Sequence, residues 1–429
     1  MRKKRSWRKL DNSAKIFPIS GNRKYSTVFR YSVVLHDMVD PEVLQRAVYK
    51  ALIKYKKFNV RMRAGLFWYY LEDNPLKPIV SEEITYPCKY IDPRMNNDYL
   101  FKVTYFKNKI NIDIFHSLTD GNGGMIFFKE IVYSYLELAH PELMDNQERQ
   151  DKIEEIDYDV RDSYIENFDK KAKRPGKSSR AYLLKGKEIQ FGAISAIHQI
   201  INNEQLKQEC SKYDISVTKY LTAVLIYSIY KANYLKYVGN KKAKKPIKVC
   251  IPVNLKNYFK SKTMANFFSY VNITADINKL AVFDRVVEIV KDEFDTKLNE
   301  EELAKTMAMT VRVGHNFMIS VIPLFIKRAL LKIGYRYIQK YMTITFSNVG
   351  RIGMIGDYQK YIDYFLLLIA PENIEKIKCS GCTFENKMVM TFTSVLRDSD
   401  IEKYFYDFLR DRGIEVNVES NEVNEKINK

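Results

Sequence analysis

Of the five histidines in the 429 residues, His116 stands in a setting that suits proton transfer. A neutral imidazole, with a pKa of about 6.5, is the natural general base at neutral pH. His116 opens the run His116-Ser117-Leu118-Thr119-Asp120-Gly121-Asn122-Gly123-Gly124. Asp120, four residues on, can lock the turn, and the three glycines permit backbone conformations that other residues resist. With 5 His and 16 Gly in the chain, and 25 Asp, the spacing His-x-x-x-Asp-Gly is expected by chance on the order of 0.01 times. Upstream, alternation places Ile110, Ile112, Ile114 and His116 on one face of a strand, with Asn111, Asp113 and Phe115 on the wet face. A histidine ending such an apolar row is either a satisfied core residue or a placed base. The Gly-rich turn that follows it favours the base.

Strands interleaved with helices must hold this motif. Residues 26–36 read as a strand; Asp40 then caps a helix with Pro41 at its first position, running to about Tyr55. Strands are expected at 67–71 and 78–85, then a hairpin of 100–106 and 110–116 around Lys107-Asn108-Lys109, then a helix from Gly124 to His140. The charged stretch 141–181, ending in Pro-Gly-Lys-Ser-Ser, reads as an interdomain connection. Beyond it come strands at 189–201, 246–253, 268–276, 342–348 and 388–395. The helices there are 204–212, a second from Ser216 or Thr218, 282–298, 301–340 broken near Gly314 and Pro323, and 400–411, before a frayed tail. The pattern is mixed α/β in two lobes, 1–180 and 181–429.

With HSLTDG at 116–121, VDPEVLQRAVYKAL at 39–52, IPVNLK at 251–256, NFFSYV at 266–271 and TFSNVG at 345–350, the chain resembles the CoA-dependent acyltransferase superfamily. That superfamily includes chloramphenicol acetyltransferase and the condensation domains of peptide synthetases. Length, the opening LDNSAKIFP and the Ser-Asn-Val-Gly element resemble the bacterial alcohol acetyltransferase-like members most. The resemblance implies two chloramphenicol acetyltransferase-like lobes, each a mixed sheet flanked by helices, with an active-site tunnel between them. It implies transfer of an acyl group from a CoA or phosphopantetheine thioester to an alcohol or amine. His116 would be the base, Asp120 a structural residue paired with a basic group that the sequence does not identify, and Gly121 the space for the pantetheine arm. Two departures stand out. Phe115 occupies the place of the second histidine of condensation domains and wax ester synthases, and the plant-type Asp-Phe-Gly-Trp-Gly signature is replaced by Ser347-Asn348-Val349-Gly350. Thr343, Thr345 and Ser347 form a polar row on that strand, and a hydroxyl or amide from Ser347 or Asn348 can donate to a developing oxyanion or line the tunnel. The bland alternative is that both cap a turn before Gly350.

Composition narrows the rest. With 46% hydrophobic and 13% aromatic residues the chain can bury a sizeable core, which excludes disorder as its main state. The longest apolar run, 317–326, falls short of the roughly 20 residues of a spanning helix. No apolar region follows the basic N-terminus, so a cytoplasmic place is expected. Five scattered cysteines make no disulfide framework, and Cys379-Ser-Gly-Cys382 reads as ordinary strand and turn residues. No metal or bound cofactor is expected. An acyl-CoA or acyl-phosphopantetheine is the co-substrate, and an acyl carrier protein the alternative donor. A net charge of +18 favours anionic partners, but no nucleic-acid motif is present. Residues 317–335, with Lys327, Arg328 and Lys332, read as a packed helix with a snorkelling basic edge, the alternative being peripheral membrane contact. The cluster Lys241–Lys245 reads as a solvated loop, and His36, His140, His198 and His315 as structural. A monomer acting on a small-molecule or lipid acceptor is expected. The rivals are a non-catalytic binding module of the same fold and a peripheral lipid-binding protein.

Overall fold

Ile110, Ile112 and Ile114, the apolar row leading to His116, are fully buried in a strand near the middle of a five-stranded sheet. The computed structural model describes residues 6–144, 149, 159–176, 178–234, 245–314 and 316–421. His315, Lys241–Lys244 and residues 145–158 other than Arg149 lie outside the described residues. Besides short helical turns, the order is β1 (Trp7–Lys9), β2 (Val28–Leu35), α1 (Pro41–Lys54), β3 (Val60–Ala64), β4 (Tyr69–Asp73), β5 (Val80–Glu82), β6 (Phe101–Phe106), β7 (Lys109–Phe115) and α2 (Gly121–Ala139). The second half adds β8 (Ser195–Asn202), α3 (Asn203–Lys212), α4 (Val217–Ile229), β9 (Ile247–Asn254), β10 (Phe268–Ala275), α5 (Phe283–Lys297), α6 (Glu300–Gly314), α7 (Leu324–Ile338), β11 (Ile344–Arg351), β12 (Ile362–Ile369), β13 (Ile377–Phe384), β14 (Lys387–Ser394), α8 (Asp400–Arg410) and β15 (Val416–Ser420).

Two mixed sheets result, with strand orders β12-β2-β7-β6-β5 and β10-β9-β11-β13-β14-β8-β15, plus a small sheet β1-β4-β3. Asp40 caps α1 as the sequence predicts, its side chain accepting from the Glu42 and Val43 N–H groups. The residues it buries, Leu44, Ala47, Val48, Ala51 and Leu52, are those of the expected face. The second face of β7 departs from expectation, because Asn111 and Asp113 are buried rather than wet. They are satisfied there. Asp113 takes two bonds from Arg30, at 2.9 and 2.6 Å, and Asn111 accepts from Ser32. The face is dry because the larger sheet packs over it, with Val28, Tyr364, Leu366 and Val389 in the shared layer.

Strand β12, from the second half, crosses back to complete the first sheet by antiparallel pairing with β2. As an edge strand it would expose main-chain acceptors. Instead Ser380 donates to the Leu367 carbonyl, Cys382 Sγ to Phe365 (3.2 Å) and Thr393 to Ile369 (2.6 Å). Side chains of the second sheet thus terminate the first. Cys379 and Cys382 sit three apart on β13, facing opposite sides, Cys379 into the second-half core and Cys382 into the first. They cannot share a ligand. The start of the tail differs from expectation, since β15 pairs with β8 from Val416 to Ser420; residues 422–429 lie outside the described residues.

Candidate active site

His116 follows directly on β7, and the residues around it come from both halves. Its main-chain N–H donates to the Thr27 carbonyl at 3.2 Å. Thr27 is held at φ +53°, a left-handed conformation costly for a β-branched residue. The imidazole stacks on Phe17 (centroids 4.3 Å apart, 17° between planes), meets Phe29 edge-on at 5.0 Å and lies 5.4 Å from Phe268. The residue as a whole is half-buried, with aromatic rings on three sides of the imidazole.

Its Nδ1 lies 3.1 Å from Asn266 Oδ1, while Asn266 Nδ2 donates to Asp11 Oδ2 at 2.9 Å. That carboxylate also accepts the Asn266 and Ala14 N–H groups. Only the Nδ2 end of the amide can donate to Asp11, so the Oδ1 end faces the ring and Nδ1 carries the proton. Nε2 is left with its lone pair and no hydrogen-bond partner among the described residues. Burial pushes the Asp11 carboxyl up to about 7, against the pull of its bonds to Asn266 and Ala14. Burial also lowers the His116 pKa, and Lys378 adds to that, while Asp120 and the Asn266 bond oppose it. The neutral, proton-accepting ring therefore persists below the ordinary range of about 6.5. If His116 is the base, the acid limb of a kcat/KM profile has its midpoint below about 6.5; a limb at or above that value would mean the ring is not desolvated as described.

Asp120 points away from this ring's bonds and caps α2, its Oδ1 accepting the Gly123 N–H at 2.9 Å. Helix α2 thus begins three residues earlier than the sequence suggests, because the glycines form its first turn. The other Asp120 oxygen accepts the Phe267 N–H of the second half at 2.9 Å, and Lys256 Nζ lies 3.9 Å away. Lys256 is the basic side chain that comes within 4 Å of Asp120 among the described residues. Thr119 donates to the Met264 carbonyl at 2.6 Å. A Cβ on Gly123 would lie 2.1 Å from Thr119 Oγ1 and 2.7 Å from the Met264 carbonyl, so only glycine fits beneath this crossing. Segment 264–268 is therefore stitched to the motif at Thr119, Asp120 and His116. Gly121, the first residue of α2, has its carbonyl bonded by the Tyr31 hydroxyl at 2.9 Å.

Ser347 and Asn348 lie on β11, beside β13. The Asn348 amide is engaged at both ends, donating to Thr218 Oγ1 and accepting the Gly350 N–H, each at 3.0 Å. Ser347 is half-buried, and its hydroxyl has no partner among the described residues. The other described histidines sit apart from this cluster. His198 is buried against Thr391 and pushed down to about 3, and His140 stacks on Tyr361. One cavity, of about 400 Å³ and lined by Leu35, Val43, Tyr135 and His140, holds neither His116 nor any residue touching it. A smaller one of about 20 Å³ lies beside Thr27. Convergent chemistry, not cavity size, marks the site.

No family model and no curated protein matches the chain. Solved structures do. TRI101 of F. sporotrichioides, complexed with coenzyme A and T-2, superposes with a TM-score of 0.63 at 10% identity, covering 96% of this chain and 99% of its own. The wax ester synthase/diacylglycerol acyltransferase from Marinobacter aquaeolei VT8 gives 0.53 at 12% identity, covering 95% and 100%. The starter condensation domain of rhizomide synthetase RzmA, in complex with C8-CoA and Leu-SNAC, gives 0.58 at 9% identity, covering 95% and 93%. The chain thus has the two-lobe fold common to CoA-dependent acyltransferases and condensation domains.

Proposed function

We propose that the protein transfers an acyl group from a CoA thioester, or from a phosphopantetheine thioester on a carrier protein, to an alcohol or amine, with His116 as the general base. The observation that carries this is the directed imidazole, its Nδ1–H held by an Asn266 amide that Asp11 anchors and its Nε2 left to accept. The acceptor's O–H or N–H would give its proton to Nε2 as its oxygen or nitrogen bonds to the thioester carbon. The tetrahedral intermediate then expels sulfur, which takes the proton back from the imidazolium as the C–S bond breaks. No acyl-enzyme is needed, and His116, Asp120 and Gly121 suffice for the motif's part. Asp120 and Gly121 act as scaffold, with Asp120 joining the lobes 1–180 and 181–429 beside the base.

Ser347, with an uncommitted hydroxyl on β11, is the group we propose as oxyanion donor; such donors contribute roughly 3 kcal/mol each where measured. Asn348 is the positioning residue that holds this strand end to Thr218. The fold's CoA-bound neighbours support a thioester donor. The reading is tested by following thiol release from acyl-CoAs of graded chain length, with and without a panel of alcohols and amines. Acceptor-dependent release is expected; none from any donor and acceptor pair, pantetheine thioesters included, would leave a non-catalytic module of this fold.

A further inference from the structure

Helix α7 reverses the usual arrangement of a surface helix, which turns its apolar stripe inward and its charges to water. In α7 the deepest side chains are Leu324 and the cationic Lys327. Lys327 Nζ donates to the Phe67 carbonyl at 3.0 Å and lies 3.6 Å from the centroid of the Trp68 ring. The hydrocarbon faces out. Phe325, Leu330, Ile333 and Tyr337 are 48–74% exposed, and beside them the hairpin tip between β3 and β4 exposes Leu66 and Phe67 at 72% and 41%. The tip is joined to the helix through the Leu324 N–H, which donates to the Leu66 carbonyl at 2.9 Å. The helix is packed as expected through Leu324, but its basic edge differs at Lys327, which takes the inner place and leaves apolar neighbours outside.

Charge indicates what covers this surface. From Leu303 to Gly356, 54 residues contain eight Lys or Arg and no carboxylate, whereas the chain's average of 52 acids in 429 would put six or seven there. Arg328 and Arg336 are exposed among the apolar side chains, and no acidic side chain of α7 offsets them. A cationic, outward-apolar helix about 22 Å long matches a lipid surface better than it matches a second copy of itself, whose like charges would meet.

We propose that the α7 face and the Leu66–Phe67 tip seat the protein on an anionic membrane surface, the arginines reaching headgroups while the apolar side chains enter the acyl boundary. Helix α7 also supplies Lys332, Tyr335 and Arg336 to the small cavity beside Thr27, so docking would bring lipid close to the His116 site and fit an amphiphilic acceptor. That last step rests on the acyl-transfer reading; membrane binding does not.

Flotation of the full chain with vesicles of phosphatidylcholine alone, or with about one-third phosphatidylglycerol, tests the proposal directly. Binding to the anionic vesicles is expected to be at least about tenfold tighter, and weaker in about 0.5 M salt. The double variant Leu330→Glu with Ile333→Glu should lose at least about tenfold in binding with unchanged far-UV circular dichroism. A second pair, Arg328→Gln with Arg336→Gln, leaves the apolar face intact and should remove only the preference for anionic lipid. Absent binding to anionic vesicles, equal binding by the glutamate variant, or a dimer in light scattering that this variant splits would each overturn the proposal. None of these readouts depends on acyl transfer.

Discussion

Replacing His116 by alanine is expected to lower kcat by about a thousandfold, equivalent to about 4 kcal/mol of transition-state stabilisation, with little change in KM for the thioester. The size follows from what is removed. Nε2 is the ring's uncommitted acceptor, and water in its place would be neither oriented nor poised near neutrality. The thermal midpoint should move little, because the side chain is half-buried and its chief packing partner, Phe17, lies on a short helical turn rather than in a sheet. An Asn266→Ala arm separates proton acceptance from ring placement. That variant keeps the base but loses the group fixing its tautomer, so a smaller fall in kcat is expected. Measured with one saturating acyl-CoA and acceptor, a His116→Ala enzyme retaining more than about a tenth of the rate would remove the histidine from the reaction.

Much of the motif's setting was legible because it is local. The period-two row Ile110, Ile112, Ile114 defines β7, and a capping Asp with glycines after it defines the start of α2. The groups that orient His116 were not, since they are 150 and 255 residues apart in sequence, from Asn266 to His116 and from Asp11 to Asn266. Asn266, like Asn254-Leu255-Lys256, resembles a family position that shapes the second lobe near the tunnel. In plain sequence these read only as a strand end and a turn, and the Asn266 amide acquires a role through β10's approach to the motif. Asp11 gave one usable signal: it lies three residues before Ala14, whose N–H it accepts in a tight turn. Strand β12, IDYFLLLI, was missed because both its faces are covered and alternation vanishes. Strand β13 was missed for the opposite reason. Its Ser380-Gly381 looks like a turn, yet the serine is there to close the edge of β12 and Gly381 packs against Met388 and Asn348. The outward hydrocarbon of α7 escaped the sequence because periodicity locates a stripe but not the side on which the protein lies.

Asp120→Ala should behave in the opposite way to the His116 variant, losing stability as well as rate. Alanine removes the cap of α2, worth about 1 kcal/mol. It also leaves the Phe267 N–H buried without an acceptor, at a further cost of about 1–3 kcal/mol. Lys256, at 3.9 Å, adds less, being too distant for a strong bond. A total of about 2–4 kcal/mol is expected, concentrated where segment 264–268 meets the motif. Because that segment carries Asn266, loosening it also frees the imidazole to turn. Asp120→Asn should recover part of the stability, since its oxygen can serve one of the two N–H groups but its NH2 must face the other. There is an electrostatic signature too. The Asp120 charge raises the His116 pKa, so either neutral variant should carry the acid limb of residual activity to still lower pH. Full stability in Asp120→Ala, by denaturant titration, together with a limb that stays where it was or moves upward, would mean that this carboxylate neither joins the lobes nor acts on the imidazole.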